Sequence, residues 1–514
     1  MFRRLLSVGG FTLISRITGF IRDVLMAAVL GNGALSDAFL VAFRFPNYFR
    51  AIFGEGTINP AFLPRYAALR AKGEIAGADQ FADRVFSWQM AAQFVLLVGG
   101  LAGMPYIVRV LAPGFADHPG QLELAVELSR ITFPYLILTV VAVQLSAMLN
   151  ADEKFWAAAA WSNFLNLSMI GAILLAPWFA NAALAVAWGV LAGGVIQLFF
   201  ILWAAARDGL TLRISWPRWT PEIKEFFKAF GASTIGAASV TIAPFIDILI
   251  ASFLPLGSLT ALYYADRINQ LPLGVLGIAL GTVLLPEMSS RLATGDRAAS
   301  DSAQNRSAAI GLLLTLPFAV VFLAVPDVIM RGIFAHGAFD RHAADQAGVA
   351  LMAYGAGLPA FVLVRILAAT FFARHDTATP ARVTVTAMAA NIAAKFVLVW
   401  GLDFGVAGVA LGTALGAWVN VGLLFWLGRR RSLLAIERSF TRAFVPIVLA
   451  AAATAGGAFA GARLASGIPA GGLQSEAMLA GAMLFGACGY LVVTYLFRNA
   501  LPLGRLSRKR PAVT

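Results

Sequence analysis

The sequence predicts an all-α polytopic membrane protein with about fourteen transmembrane helices. Of its 514 residues, 60% are hydrophobic and only 13% are charged, whereas a soluble domain carries about 25% charged residues. Apolar runs of about 20 residues, long enough to cross a bilayer, recur along the whole chain. These two observations exclude an ordinary soluble protein.

Each predicted span is one of these apolar runs. The first follows Met1-Phe2-Arg3-Arg4, and it is too long for a signal peptide, so we interpret it as a retained helix. The predicted spans are 8–30, 34–52, 83–110, 122–149, 155–177, 182–205, 226–253, 258–286, 304–330, 346–373, 381–401, 405–427, 442–464 and 475–497.

Lysine and arginine residues concentrate in alternate loops. Arg429-Arg430-Arg431 follows the twelfth span and Arg508-Lys509-Arg510 follows the last, whereas Gly31-Asn32-Gly33 and Pro255-Leu256-Gly257 lie in loops that are nearly free of cations. Because cytoplasmic loops carry the excess of positive charge, both termini are expected in the cytoplasm. The same distribution accounts for the net charge of +13 without a nucleic-acid partner.

The chain also repeats itself weakly. Asp23 recurs as Asp247 at an offset of 224 (247 − 23), and Arg44 recurs as Arg267 at an offset of 223 (267 − 44). An even number of helices per repeat gives two halves with the same membrane orientation. In such parallel repeats the substrate site lies between the halves.

This repeat divides the chain into three predicted segments. Residues 1–225 form an N-lobe of helices one to six, residues 226–435 form a C-lobe of helices seven to twelve, and residues 436–514 contain a final helix pair. The final pair is rich in alanine and glycine, a composition that suits close helix packing or lipid contact.

Three charges interrupt the first apolar segment: Arg16, Arg22 and Asp23. A charge near the bilayer centre costs roughly 2.5–3.5 kcal/mol on insertion scales, so such residues face a wet cavity or a partner. Arg16 and Asp23 are seven residues apart and share a helix face, with Gly19 between the two arginines. We expect an anionic headgroup to approach the backbone at Gly19; the alternative is a structural Arg16–Asp23 pair.

A second charged segment follows. Asp37 and Arg44 are seven residues apart and share a face, and Pro46 removes a backbone donor and crowds the preceding turn, which predicts a kink or break. Arg50 and Glu55 come after that break. Broken helices at membrane depth are tolerated where they line a cavity. Arg50 could equally reach the headgroups as a cytoplasmic anchor.

In the second half, Asp266 and Arg267 lie inside the eighth helix. With the arginines of the first two segments they give an excess of guanidinium over carboxylate. Guanidinium is permanently charged and binds phosphate in a bidentate manner, so a phosphate-bearing substrate is favoured over a proton relay. The five arginines are Arg16, Arg22, Arg44, Arg50 and Arg267.

A separate polar group forms a candidate coupling site. Asp247 follows Pro244 in helix seven, and Asn391 and Lys395 share a face of helix eleven because they are four residues apart. An Asp247–Lys395 pair would serve either as a cation or coupling site or as a buried structural pair.

Motifs for catalysis and metal binding are missing from the sequence. It contains no P-loop, no glycine-rich nucleotide fingerprint and no Gly-x-Ser-x-Gly elbow. The four histidines fall in predicted loops or helix ends without the spacing of metal ligands. A transporter is therefore expected rather than an enzyme, without a cofactor or a metal.

Several motifs carry a resemblance to one family. They are Ser15-Arg16…Gly19-Phe20…Arg22-Asp23, Asp37-Ala38-Phe39, Pro46-Asn47…Arg50, Glu55-Gly56, Ala61-Phe62…Pro64, Ala112-Pro113-Gly114-Phe115, Thr132-Phe133-Pro134-Tyr135 and Tyr263-Tyr264-Ala265-Asp266-Arg267. On these residues the chain resembles the peptidoglycan lipid II flippase family (MurJ/MviN), of the multidrug/oligosaccharidyl-lipid/polysaccharide exporter superfamily. The resemblance covers the whole chain.

That resemblance implies alternating access by two six-helix lobes, with the last two helices forming a groove for a polyprenyl tail. The residues that it places in the central cavity, as needed for export, are Arg16, Arg22, Arg50 and Arg267. Secondary cavity candidates are Asp23, Asp37, Arg44, Glu55 and Asp266. Gln270 replaces an acidic residue that many members carry, and Lys395 stands where some members bind sodium, so its ammonium could replace that ion.

The leading hypothesis is a lipid II flippase of the bacterial cytoplasmic (inner) membrane. It would move the undecaprenyl-diphosphate-linked peptidoglycan precursor from the inner to the outer leaflet, with the membrane potential as an energy source. Lipid II and membrane lipids are the expected partners, with cell-wall synthesis proteins as further candidates. Two alternatives stay open: an exporter of another polyprenyl-linked glycan or of a drug on the same fold, and a non-transporting cell-wall scaffold.

Overall fold

The computed structural model describes residues 2–55, 57–294, 296–469 and 471–502, without the side chains of residues 2–8, 53–55, 235–241, 275–283 and 471. Within these ranges the chain forms seventeen α-helices. Those of the first half are α1 (Phe2–Leu30), α2 (Ala34–Phe49), α3 (Ile58–Ala71), α4 (Ile75–Leu111), α5 (Gln121–Thr132), α6 (Tyr135–Ala151), α7 (Phe155–Leu174), α8 (Ala182–Arg207) and α9 (Pro221–Ala251). Those of the second half are α10 (Ser258–Ala293), α11 (Arg297–Ala324), α12 (Pro326–Phe334), α13 (Arg341–Phe372), α14 (Ala378–Phe396), α15 (Gly405–Arg430), α16 (Arg438–Ser466) and α17 (Gln474–Leu496).

The prediction of an all-α membrane protein is confirmed. Ten helical segments of the described chain are long and apolar enough to cross a bilayer. The other four predicted spans coincide with α1, α2, α9 and α10. Helix α2 has only 16 residues, and the other three carry more charge or include side chains outside the description. The total of fourteen transmembrane helices therefore stays a prediction.

Three local features differ from the predicted spans. The span 122–149 is divided between α5 and α6 at Phe133-Pro134, and the span 304–330 is divided between α11 and α12. Proline explains both breaks, because Pro134 and Pro326 have no N–H to continue the preceding helix. The segment Ile58–Ala71, which lies between the predicted spans 34–52 and 83–110, is the helix α3.

The described chain forms two compact units. Residues 1–260 with 336–339 form the first unit, and residues 261–335 with 340–514 form the second. Helix α9 belongs to the first unit because it packs against α3 and α4. These units are defined by contacts, so the lobe boundary at residue 225, which was inferred from the repeat, stays a prediction.

In the first unit, α7 packs between α1 and α8, while α2 packs against α5. Aromatic stacking fills part of its core: the Phe133 ring stacks on Phe45 with 5.3 Å between centroids. Gly100 of α4 makes room for this stack, since a Cβ there would lie 2.3 Å from the Phe133 ring. The close approach fixes α4 over the break between α5 and α6.

Two loops of the first unit pack directly against the ends of helices, and a glycine makes each contact. A Cβ on Gly114 would lie 2.2 Å from the Ser252 carbonyl oxygen, and one on Gly337 would lie 2.4 Å from the Ala28 carbonyl oxygen. The Ala338 N–H donates to the same Ala28 oxygen at 2.7 Å. Gly337 lies 223 residues after Gly114 and Ser252 lies 224 after Ala28, so the two contacts are equivalent under the repeat.

In the second unit, α16 and α17 pack with almost no side chain between them. A Cβ on Gly461 would lie 2.1 Å from the Gly481 oxygen, and a Cβ on Gly489 would lie 2.5 Å from the Ala453 oxygen. Lipid tails are as apolar as leucine, so helices in a bilayer associate mainly through such close van der Waals contact. The glycines of the final pair thus hold the two helices together.

Replacing Gly461 with valine should separate α16 from α17. Overpacking of a tight interface lowers the free energy of unfolding by roughly 1–3 kcal/mol, and thermal unfolding of the purified protein in detergent measures the loss. Gly456→Val is the matched control, because no atom lies within 4 Å of a Cβ built on Gly456. Equal melting temperatures for the two variants would contradict this account of the interface.

Candidate functional site

The charges of α1 form a buried cluster in the first unit. Arg22 and Asp23 are 4% and 3% exposed, and Arg22 Nη2 lies 2.6 Å from Asp23 Oδ1. Arg22 Nη1 also donates to Asn166 Oδ1 of α7 at 2.9 Å, and its guanidinium lies 5.7 Å from the centroid of the Phe43 ring. A carboxylate, an amide and an aromatic face therefore surround this arginine.

Arg16 lies on the same helix but is exposed. Its guanidinium forms no salt bridge with the part of the chain that the structure describes, so the alternative of an Arg16–Asp23 pair was wrong: Asp23 pairs with its neighbour Arg22. Arg16 therefore has the only α1 guanidinium that is both described and open to solvent or substrate.

Gly19 lies next to the Asn166 side chain of α7. Asn166 Nδ2 donates to the Ser15 carbonyl at 3.0 Å and to Thr18 Oγ1 at 3.3 Å, and a Cβ on Gly19 would lie 3.4 Å from that same nitrogen, an ordinary van der Waals distance. The expectation that an anionic headgroup reaches the backbone at Gly19 stays a prediction.

The break after α2 agrees with the prediction from Pro46. The regular helix ends at Phe49, and residues Arg50–Glu55 continue it as a wider π-helix. Pro46 leaves the Ala42 carbonyl without its usual donor, and the Thr132 hydroxyl of α5 donates to that oxygen at 2.8 Å. A bond from a neighbouring helix thus stabilises the proline-containing turn.

Arg44 and Arg50 lie on either side of this turn and are both half-buried. The side-chain amide of Asn47 donates to the Phe43 carbonyl at 2.7 Å, and its oxygen accepts from Arg50 Nε at 3.4 Å. Asn47 therefore links Arg50 to the end of the regular helix. The side chain of Glu55 lies outside the described residues.

Asp37 is a buried acceptor at the start of α2. It is 3% exposed, and its two oxygens accept from the Gly257 N–H at 2.7 Å, the Thr260 N–H at 2.9 Å and the Thr260 hydroxyl at 2.6 Å. Because α10 begins at Ser258, the carboxylate lies at the positive end of that helix. All three donors belong to the first unit.

Arg267 and Asp266 belong to the second unit, and each contacts a residue one helical turn away. Arg267 Nε and Nη2 lie 3.2 and 3.0 Å from the Tyr263 hydroxyl, with the guanidinium 5.1 Å from that ring's centroid. Gln270 Nε2 donates to Asp266 Oδ2 at 2.5 Å. Gln270 is uncharged, so Asp266 is the acidic group of this turn.

Lys395 and Asn391 lie in the second unit against a pair of glycines. Lys395 is fully buried and Asn391 is 9% exposed. A Cβ on Gly412 would lie 2.3 Å from Lys395 Cγ, and one on Gly416 would lie 2.5 Å from Asn391 Cβ. These glycines, four apart on α15, provide the space that two polar side chains of α14 require.

Asp247 is half-buried in α9 of the first unit, so its pairing with Lys395 stays a prediction. Across the described ranges, no group of three or more His, Cys, Asp or Glu side chains could hold a metal ion.

A family model described as "Lipid II flippase MurJ" matches residues 26–466. The chain belongs to this family. It is 39% identical over 459 residues to the "Probable lipid II flippase MurJ" of Rhizobium tropici, which covers 88% of this chain and 86% of the relative. The resemblance to the MurJ family, which rested on motifs between Ser15 and Arg267, is therefore confirmed.

Solved structures agree at the level of the fold. A structure described as "Lipid II flippase MurJ, inward closed conformation" is similar with a TM-score of 0.79 at 24% identity, and the match covers 96% of this chain and 99% of that one. An inward-facing multidrug resistance MATE family transporter of the MOP superfamily is similar with a TM-score of 0.67 at 16% identity, over 81% of this chain and 95% of that one. At these identities the two matches show that this chain shares the fold of those transporters.

Three residues that pack or hydrogen-bond near the candidate residues were given no role by the sequence analysis: Asn166, Thr132 and Gly412. Each is uncharged, so none stands out in an apolar helix as Arg22 does. The only available signal was a polar or small residue within a predicted span, and such residues are common in membrane helices.

Proposed function

We propose that this protein is a lipid II flippase of the inner membrane. It moves the undecaprenyl-diphosphate-linked disaccharide-pentapeptide from the inner to the outer leaflet, while the polyprenyl tail stays in lipid. The observation that carries this proposal is the match of the MurJ family model over residues 26–466. Lipid II is the proposed substrate, and cell-wall synthesis proteins are proposed partners.

Arginine holds the diphosphate in this proposal. Arg16, Arg22, Arg50 and Arg267 are the proposed ligands, with Asp23, Arg44 and Asp266 as neighbours that set the local charge. The charge of Arg22 is balanced by Asp23 at 2.6 Å, whereas Arg16 is exposed. Since guanidinium gains most from an oxyanion when it is not already paired, Arg16 supplies the larger share of the attraction.

Arg267 contributes from the second unit in a different way. Its Nε and Nη2 are both directed to the Tyr263 hydroxyl, which restricts the rotation of the guanidinium. An oriented guanidinium loses less conformational freedom when it binds a phosphate. We therefore assign Arg267 to the recognition of one phosphate and Arg16 to the capture of the headgroup.

Replacing Arg16 with alanine should reduce flipping strongly. A hydrogen bond to a charged group contributes about 1.5–3 kcal/mol, so the rate at limiting substrate should fall about ten- to hundredfold. The measurement is transport of labelled lipid II in proteoliposomes. Arg109→Ala is the control, because Arg109 is an exposed arginine in the last turn of α4.

The two variants also test the scaffold alternative. A non-transporting protein would show equal rates for Arg16→Ala, Arg109→Ala and the wild type, and cells that carry Arg16→Ala would grow normally. Normal arrival of lipid II at the outer leaflet after depletion of the protein would contradict the flippase function itself.

Alternating access is the proposed mechanism, with fourteen helices in two lobes, 1–225 and 226–435, and with residues 436–514 as the groove for the tail. Both termini are proposed to be cytoplasmic. The repeat supports this scheme: the Gly114 and Gly337 contacts are equivalent under it, and Asp37 bonds to Thr260, which lies 223 residues later. We infer that these contacts close the periplasmic end.

Asp37 should control how readily that end opens. Alanine at this position removes three accepted hydrogen bonds from the start of α10, and the loss of a helix cap raises local opening about tenfold. Hydrogen exchange at the Gly257 and Thr260 amides measures it. Asp296→Ala is the control, because Asp296 caps α11 through the Ala299 N–H at 2.9 Å and should leave residues 257–260 protected.

Lipid II should also increase hydrogen exchange at Gly257 and Thr260 in the wild-type protein. If lipid II drives alternating access through this end, its addition should accelerate exchange at Gly257 and Thr260. Unchanged protection at saturating lipid II would contradict the proposed periplasmic gate, whatever the effect of Asp37→Ala.

Lys395 is proposed to replace a coupling cation. Its side chain is fully buried and packs against Gly412, so a lysine cation would take the place of a bound ion in this part of the second unit. The membrane potential, worth about 2.3 kcal/mol per charge per 100 mV, then supplies the energy. Asp247 is the proposed acidic member of this coupling site.

The rate of lipid II flipping should therefore be independent of sodium. We expect proteoliposomes at constant membrane potential to flip at the same rate when potassium replaces sodium, and to flip more slowly when the potential is collapsed. A rate that rises with sodium concentration would show that Lys395 does not replace the ion.

A further inference from the structure

The second unit contains a cationic cavity of about 1060 Å³. It lies where α10 and α17 end and where α11 and α16 begin, away from the site described above. Its charged lining residues are Glu287, Arg291, Arg306, Arg442 and Arg498.

Positive charge dominates this lining. Arg306 Nη2 lies 3.1 Å from Glu287 Oε2, which balances one guanidinium. Within the described residues, the guanidinium groups of Arg291, Arg442 and Arg498 form no salt bridge, and all three residues are exposed. Three positive charges therefore face one cavity without a counter-charge.

The residues that follow the cavity in the sequence add no acidic side chain. The segment 503–514 follows Pro502, the last lining residue, and its sequence contains three arginines, one lysine and no acidic side chain. An occupant that neutralises the cavity must come from elsewhere and must be anionic.

An apolar cavity of about 440 Å³ adjoins the cationic one. The two share Asn305 and Phe440 in their linings. The apolar cavity is otherwise lined mainly by aliphatic and aromatic side chains, among them Leu312, Leu363 and Trp418. An occupant that fits both cavities is an amphiphile with an anionic head and a hydrocarbon chain.

We propose that the cationic cavity binds the phosphodiester headgroup of an anionic bilayer phospholipid, with an acyl chain in the adjoining apolar cavity. Arg291, Arg442 and Arg498 contact the phosphate, and Arg306 is held in place by Glu287. Inorganic phosphate has the same head chemistry but leaves the apolar cavity empty, so it binds far more weakly. None of the proposed diphosphate ligands lines this cavity, but Phe440, Arg442 and Arg498 belong to residues 436–514, the proposed groove for the polyprenyl tail. Competition with lipid II therefore decides between the two lipids.

Binding of lipid to the full-length protein in neutral detergent tests this site. Native mass spectrometry with dioleoyl phosphatidylglycerol, dioleoyl phosphatidylcholine and inorganic phosphate distinguishes an anionic lipid from a zwitterionic lipid and from a free anion. The test variant is Arg291→Gln/Arg442→Gln. The control is Arg429→Gln/Arg430→Gln, which removes two exposed arginines from the end of α15, outside the cavity.

We expect the test variant to bind phosphatidylglycerol roughly thirty-fold more weakly, the effect of two lost cations near a membrane surface. The control should bind like the wild type, and Arg442→Lys should keep most of the affinity because it keeps the charge. All variants should melt alike without lipid, since the altered residues are exposed.

Three results would overturn the proposal. Equal losses in the test and control variants would mean that surface charge alone attracts the lipid. Inorganic phosphate that binds as tightly as phosphatidylglycerol would make the cavity a free-anion site. Displacement of phosphatidylglycerol by lipid II, and its loss in Arg16→Ala, would assign the cavity to the flipping substrate.

Discussion

Water is absent from the hydrocarbon layer, so polar groups that enter it need partners within the protein. The pair of Arg22 and Asp23 shows how strongly this constraint shapes the first unit. Neither residue could be buried alone at an acceptable free energy. Asn166 of α7 supplies an acceptor to Arg22 and donates to the Ser15 carbonyl, so α7 must pack against α1. One ion pair determines the neighbours of two helices.

The same constraint is met differently elsewhere. Pro46 leaves a carbonyl without its helical donor, and Thr132 of another helix supplies one. Lys395 packs against Gly412 of α15, where a Cβ would lie 2.3 Å from its Cγ. The guanidinium of Arg267 is held by a tyrosine on its own helix. In each case an uncharged residue decides where a charge or an orphaned backbone group can lie.

The difference between charged residues and their uncharged partners explains which parts of the site could be predicted from the sequence. Apolar length and loop charge predicted the class of protein and most helix positions, because both can be counted along the chain. The charged candidates Arg22, Asp37 and Lys395 were found because a charge in an apolar run is conspicuous. Asn166, Thr132 and Gly412 were not found, since their roles depend on which helices meet. Helix α3 was missed because Arg65 and Arg70 resemble a cytoplasmic loop, although they pair with Glu225 and Asp152.

Gly114 and Gly337 place main chain directly against main chain, and that choice affects how the protein moves. A contact made of side chains must lose rotamer freedom whenever it forms, and each long side chain costs up to about 2 kcal/mol. A contact between backbones has no rotamers to lose. Two backbone surfaces of this kind can separate and come together again without side-chain repacking. The free-energy difference between a closed and an open form would then depend mainly on a few hydrogen bonds. A backbone contact of this kind can form repeatedly in the same geometry, which suits a transporter that passes through the same states in every cycle.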